Sequence, residues 1–274
     1  MKLKNIFLTI LGVVAFVSCD NIADDNRYLD ADIEPTDRVV LLTEFTGMNC
    51  VNCPEAAAIA TSLLENFPEN VIVVAMHPKG HGFVPEGENI TPNLARQEAM
   101  DYLKEMGGTG STGLPTGVID FSLFNKNYLI DRSEWMARAM QHLTVEPKCN
   151  IELTHSQTDA RNHTIAVNIL PKEGATINAS LVMWLVESGM VGSQNTHEGI
   201  VRDYVHNHAL RECLNGLWGD ALGVVTAKAV EKSYSVVVNE EYVPENCTVV
   251  AVVVDTDTHE VLQAAEVALG TGNH

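Results

Sequence analysis

Cys50 and Cys53 stand two residues apart in Cys50-Val51-Asn52-Cys53, a spacing at which two thiols close a small disulfide or supply half of a zinc site. Pro54 follows at once, and proline is tolerated in a first helical turn, so the pair sits where a helix starts. Backbone N–H groups there stabilise a thiolate on the first cysteine. His77 and His81, in His77-Pro78-Lys79-Gly80-His81, are the residues that would complete a zinc set, but their segment has the composition of a loop and no second CxxC is present. Redox disulfide chemistry therefore ranks first, a purely structural disulfide second and zinc third.

The elements that must hold this pair can be read from the hydrophobic period. Val39 to Phe45 and Asn70 to Met76 are nearly continuous apolar runs, as expected of strands buried on both faces. Between them Ala56, Ile59, Ala60, Leu63, Leu64 and Phe67 share one helical face. A second helix is predicted from Pro92 to Met106 and a strand over Thr116 to Phe121. Asp131 with Glu134 forms a capping-box pattern ahead of Trp135, Met136, Ala139, Met140 and Leu143. Strand and helix alternate, which defines an α/β layer. Lys79 to Asn93 interrupts it as an insertion suited to a lid or a partner surface.

Beyond residue 146 the texture changes to short β-branched runs: Cys149 to Thr154, His163 to Leu170, Ile177 to Val186, Glu231 to Val238, Thr248 to Asp255 and Val261 to Leu269. These fit a β-sandwich, with Trp184 in its core. Residues 189–228 are ambiguous; Ile200, Val201, Tyr204, Val205, His208 and Ala209 would share a helical face. His206-Asn207-His208 with Arg211 reads as a structural or interdomain group rather than a metal site.

Lys2 and Lys4, the apolar stretch Ile6 to Val17 and the ending Phe16-Val17-Ser18-Cys19 make a secretory signal over residues 1–18 whose end resembles a bacterial lipobox, with Cys19 as the lipidated residue. Residues 19–37, with Asp20, Asp24, Asp25, Asp30 and Asp32, read as an acidic tether. The chain carries 17 Lys+Arg against 36 Asp+Glu, a net charge of −19. Loss of Lys2 and Lys4 makes the mature chain more acidic still. Such a surface argues against nucleic acid as a partner and leaves the lipid as the membrane contact.

Thr43-Glu44-Phe45-Thr46-Gly47-Met48-Asn49-Cys50-Val51-Asn52-Cys53-Pro54 resembles the active-site segment of thioredoxin-like proteins and, more narrowly, that of the Omp28-related outer-membrane lipoproteins. The resemblance covers nearly the whole chain after the signal. It implies an α/β thioredoxin-like domain over residues 38–145 and a β-rich domain over 146–270, taken here as an all-β immunoglobulin-like sandwich. It also implies that Cys50 is the nucleophile, Cys53 the resolving thiol and Glu44 the buried acid that exchanges a proton with Cys53. Leu114-Pro115 would be the pair whose cis-proline lies against the disulfide and presents backbone groups to a substrate strand. The chain departs from the parent pattern at Thr46, Gly47, Met48 and Asn49, where aromatic residues are usual, and at Val51-Asn52, where Gly-Pro is usual.

Of the other cysteines, an immunoglobulin-like strand order prefers a Cys149–Cys213 bridge to Cys149–Cys247, with three buried thiols as the alternative. The expected protein is a lipid-anchored envelope protein, at the outer membrane or cell surface, whose partners are extracytoplasmic protein thiols or disulfides; it is expected to use no cofactor or metal. The rival expectation is a surface binding or adhesion protein on a catalytically silent scaffold.

Overall fold

In the computed structural model, which describes residues 34–270, the two textures become two kinds of layer. The signal segment, Cys19 and most of the tether lie outside the described residues. β1 (Val40–Phe45) and β2 (Val71–Met76) are buried at every position and pair in parallel, joined by α1 (Cys53–Asn66). β3 (Thr116–Ile119) adds antiparallel to β1. α1 and α3 (Trp135–Leu143) cover Val40, Leu42, Val71 and Val73 on one face. α2 (Gln97–Glu105) covers Leu41, Phe45, Ile72 and Val74 on the other.

α2 starts later than Pro92. Arg96 N donates to His77 O at 3.0 Å and Lys79 N to Arg96 O at 3.0 Å, and this bridge keeps the chain extended up to the helix. Asp131 accepts from Ser133 N and so caps a short 3₁₀ turn, Arg132–Glu134, from which α3 continues.

The second half supplies β4 (Cys149–Gln157), β5 (Asn162–Pro171), β6 (Ile177–Glu187), β7 (Met190–Thr196), β8 (Gly199–His206), β9 (Ala209–Cys213), β10 (Asp220–Val225), β11 (Val230–Val237), β12 (Cys247–Asp255) and β13 (Val261–Ala268). β11, β5 and β4 form a three-stranded sheet whose residues alternate between buried and exposed, as expected of a sheet with one wet face. That sheet encloses a core against Met183, Leu185, Val249 and Ala251 of β6 and β12. The larger sheet runs β13-β12-β6-β9-β2-β1-β3, so it crosses from one half of the chain into the other at Ala75 and Ala209. α2 covers a single core that includes both Leu41 and Val74 from the first half and Val182, Trp184 and Val252 from the second. Trp184 therefore faces α2, where its indole N–H donates to the Tyr102 hydroxyl, and not the core between the two sheets.

Two expectations are corrected here. Residues 200–209 are not a helical face: β7 and β8 form a hairpin, Asn207-His208 turns the chain, and β9 follows. Their apolar side chains misled because Ile200 and Val205 point outward, 62% and 47% exposed. The Cys149–Cys213 bridge is also absent. Cys213 pairs across from Trp184 and packs with the α2-side core, whereas Cys149 packs with Met183 and Leu185 on the opposite face of β6. Among the described residues Cys149, Cys213 and Cys247 are free thiols, each pushed up to about 12 by burial.

Candidate functional site

Cys50 and Cys53 form a disulfide with a Cα–Cα distance of 5.5 Å at the start of α1. The loop before it is tightly placed. Asn49 N donates to Phe83 O, and a side chain on Gly47 would lie 2.5 Å from that same oxygen, so only glycine fits. Phe83 belongs to the insertion over Lys79 to Asn93, which thus supports the loop. The Leu114–Pro115 peptide is cis and buried, and Cys50 Sγ lies 3.4 Å from Leu114 O. The structure thereby brings Cys50, Cys53 and Pro115 together from separate elements.

Glu44, on β1, is 3% exposed and lines a cavity of about 240 Å3 whose wall includes Cys53, Pro54, Thr46, His77, Tyr204 and His206. Burial pushes its carboxyl up to about 8, partly offset by the Thr46 hydroxyl. Burial, assisted by His206, Arg96 and Arg211, pushes His77 down to about 3. His206 is lowered by burial as well. Both imidazoles are therefore neutral at neutral pH. His77 and His81 diverge, since His81 Nε2 sits 2.8 Å from Thr112 O. Arg211, from the group with His206, instead pairs with Glu187 at 3.2 Å.

The β7–β8 hairpin covers the disulfide. Gln194 Nε2 donates to Gly47 O at 3.2 Å and Cys50 O at 2.9 Å; Asn195 N donates to Met48 O at 2.8 Å. His197 Nε2 lies 2.8 Å from Asn52 Oδ1. Both sulfur-bearing residues are consequently only 2% exposed. Sequence reasoning missed Gln194, Asn195 and His197. The strand that carries Gln194 and Asn195 buries Met190, Gly192 and Gln194 while exposing Val191, so its alternation runs against hydrophobicity and gives no usable signal.

These features define a β-rich α/β protein with a covered CxxC disulfide at the seam of its two halves. The chain belongs to the Omp28 family of outer membrane proteins, whose model, described as outer membrane protein Omp28, matches residues 106–273. That match takes in Pro115 and the hairpin but begins after the CxxC. Among solved structures the chain is similar to HBP35 of Porphyromonas gingivalis, at 16% identity and a TM-score of 0.65, with 88% of this chain and 80% of that chain covered. It is also similar to a protein of Agrobacterium tumefaciens at 11% identity and a TM-score of 0.53, over 87% and 98% of the two chains. A domain of the outer membrane lipoprotein Omp28 from Porphyromonas gingivalis matches at 26% identity and a TM-score of 0.33, over 46% and 91%. Comparison with curated proteins finds no match.

Proposed function

We propose that this outer membrane protein is lipid-anchored through Cys19 and exchanges disulfides with extracytoplasmic proteins, using a thioredoxin-like first half followed by an immunoglobulin-like sandwich. The observation that carries this reading is convergence: Pro115, from a distant part of the chain, meets Glu44, Cys50 and Cys53 at one disulfide. In the reducing direction the Cys50 thiolate attacks a substrate disulfide and one substrate sulfur leaves as a thiolate. Cys53 then gives its proton to the Glu44 carboxylate and attacks the Cys50 sulfur, which releases the second substrate thiolate and restores Cys50–Cys53. Two electrons pass from the dithiol to the substrate, and the reverse sequence oxidises a substrate dithiol. Gln194 holds the hairpin to Gly47 O and Cys50 O and both cysteines are buried beneath it, so exchange requires the hairpin to lift.

A second reading is favoured by burial itself. With both cysteines 2% exposed, a surface binding protein with a static disulfide fits the same arrangement. Titration of the protein in glutathione buffers, followed by alkylation of Cys50, separates the two. A potential below about −300 mV means a structural disulfide and returns the binding reading to first place. A value in the oxidoreductase range supports exchange, and Cys53→Ser is then expected to trap mixed disulfides.

A further inference from the structure

Three buried polar atoms on residues that line the cavity behind the disulfide have no hydrogen-bond partner among the described residues: Glu44 Oε1, His77 Nδ1 and His206 Nε2. They come from β1, from the segment after β2 and from β8, and their residues are 3%, 3% and 5% exposed. Orphaned polar atoms in a protein interior call for water or another partner. A cavity of about 240 Å3 has room for several waters, each with polar neighbours to bond. Cys53 forms part of the same wall, and the two imidazole rings lie 6.2 Å apart, centre to centre. Water between them would therefore link the carboxylate to both rings. β8 belongs to the second half of the chain, so this chamber exists only where the two halves meet.

We infer that His77 and His206 are positioning residues of a water-filled proton path that connects Glu44 with solvent during thiol–disulfide exchange at Cys50–Cys53. The inference rests on the exchange reading proposed above. When an external thiolate attacks Cys50 Sγ, the S–S bond breaks and Cys53 leaves with the electron pair as a thiolate. Glu44 supplies it a proton. The carboxylate left behind is reprotonated from the cavity water, which His77 Nδ1 and His206 Nε2 hold in place by hydrogen bonding. In the opposite direction the proton of Cys53 leaves by the same route. The titratable groups that line this path are Cys53 from α1, Tyr204 and His206 from β8, His208 from the turn after it and His77 after β2, while the charges of Arg96 before α2 and Arg211 on β9 act on His77.

The test is single-turnover reduction of Cys50–Cys53 by dithiothreitol in the detergent-solubilised full chain, from pH 5 to pH 9.5, read by quenched alkylation and mass. Concentrations are kept where the rate is proportional to the reductant, so that the chemical step and not the rate of hairpin opening is limiting. Rates are divided by those of a small-molecule disulfide at each pH to remove the titration of dithiothreitol. Loss of either imidazole, in His77→Ala, His206→Ala or the size-preserving His206→Gln, is expected to slow reduction about 10-fold at pH 7 and to displace the inflection that belongs to Glu44. Added imidazole is expected to restore His206→Ala. His206→Gln decides the matter if the alanine variants fail to fold. Variants that react at the wild-type rate, or that are slower with an unchanged pH profile and no rescue, overturn the relay while leaving exchange intact. A wild-type chain inert to dithiothreitol overturns the exchange reading and the relay with it.

Discussion

Glu44 and Asp120 are two buried carboxylates on the same α/β layer, and they have opposite surroundings. Asp120, 0% exposed, accepts from Leu41 N at 2.8 Å, from Arg38 Nη2 at 2.7 Å and Nε at 3.2 Å, and faces His142 Nδ1 at 2.8 Å. Arg38 continues to Val261 O, so this cluster ties the first strand to the last. Glu44 has an oxygen with no partner among the described residues, two neutral imidazoles beside it and a cavity in front of it. A satisfied buried charge holds a fold together; a buried carboxyl with an unpaired oxygen beside a disulfide is available for proton chemistry.

The contrast can be broken most severely at Asp120. Asp120→Ala would leave the Arg38 guanidinium buried without its counter-charge, and a loss of about 3–5 kcal/mol is expected in urea unfolding. An Asp120→Ala protein as stable as the wild type would erase the distinction between the two carboxylates.

Glu44 should behave in the opposite sense. Its folded pKa of about 8 lies above the unfolded value of 4.5, so its contribution is fully present below pH 4.5 and is lost as pH rises to 8. Glu44→Gln is therefore expected to be more stable than the wild type at pH 9 by roughly 2–4 kcal/mol, with the gap closing near pH 4. His77 works from the other side. Its folded pKa of about 3 is below the unfolded 6.5, so its contribution is complete above pH 6.5 and is lost as pH falls toward 3. Urea midpoints measured from pH 4 to 9 for the wild type and Glu44→Gln check the sign, and equal slopes would mean that Glu44 is ionised in the folded state.

The smallest effect sharpens the comparison at the hairpin. Gln194→Ala removes one side chain that donates to Gly47 O, Cys50 O and Asn195 O, at an expected cost of about 1–2 kcal/mol. Its effect on accessibility should be clearer than its effect on stability. Reduction of Cys50–Cys53 by glutathione should be about 10-fold faster than in the wild type, since a change of 1.4 kcal/mol in hairpin docking is a tenfold change in open population. An unchanged rate would mean that the hairpin does not control access.

Much of the first half was legible because its signals are local. Continuous apolar runs set β1 and β2, the Ala56, Ala60 and Leu63 spacing set α1, and the Trp135 to Leu143 pattern set α3. The site was legible in part for the same reason: the CxxC spacing and Pro54 mark a helix start, and the resemblance supplied Glu44 and Pro115. The start of α2 was not legible, because backbone bonds from Arg96 to His77 and Lys79 compete with the helix. The fate of Cys149, Cys213 and Cys247 was equally hidden, since it depends on which face of β6 each one meets.

By itself, then, the sequence determined the thiol pair, the helix that presents it, the acidic character of the chain and the change from α/β to β texture near residue 146. Each of these depends on neighbours along the chain, where period and composition act directly. Only the tertiary structure decided that Gln194 and Asn195 cover the CxxC loop, that His206 meets Glu44 and His77, and that one sheet and one core span both halves. Those facts depend on strand pairing between residues more than a hundred positions apart, and short strands whose exposed faces carry valine and isoleucine leave no periodic trace of where they will dock.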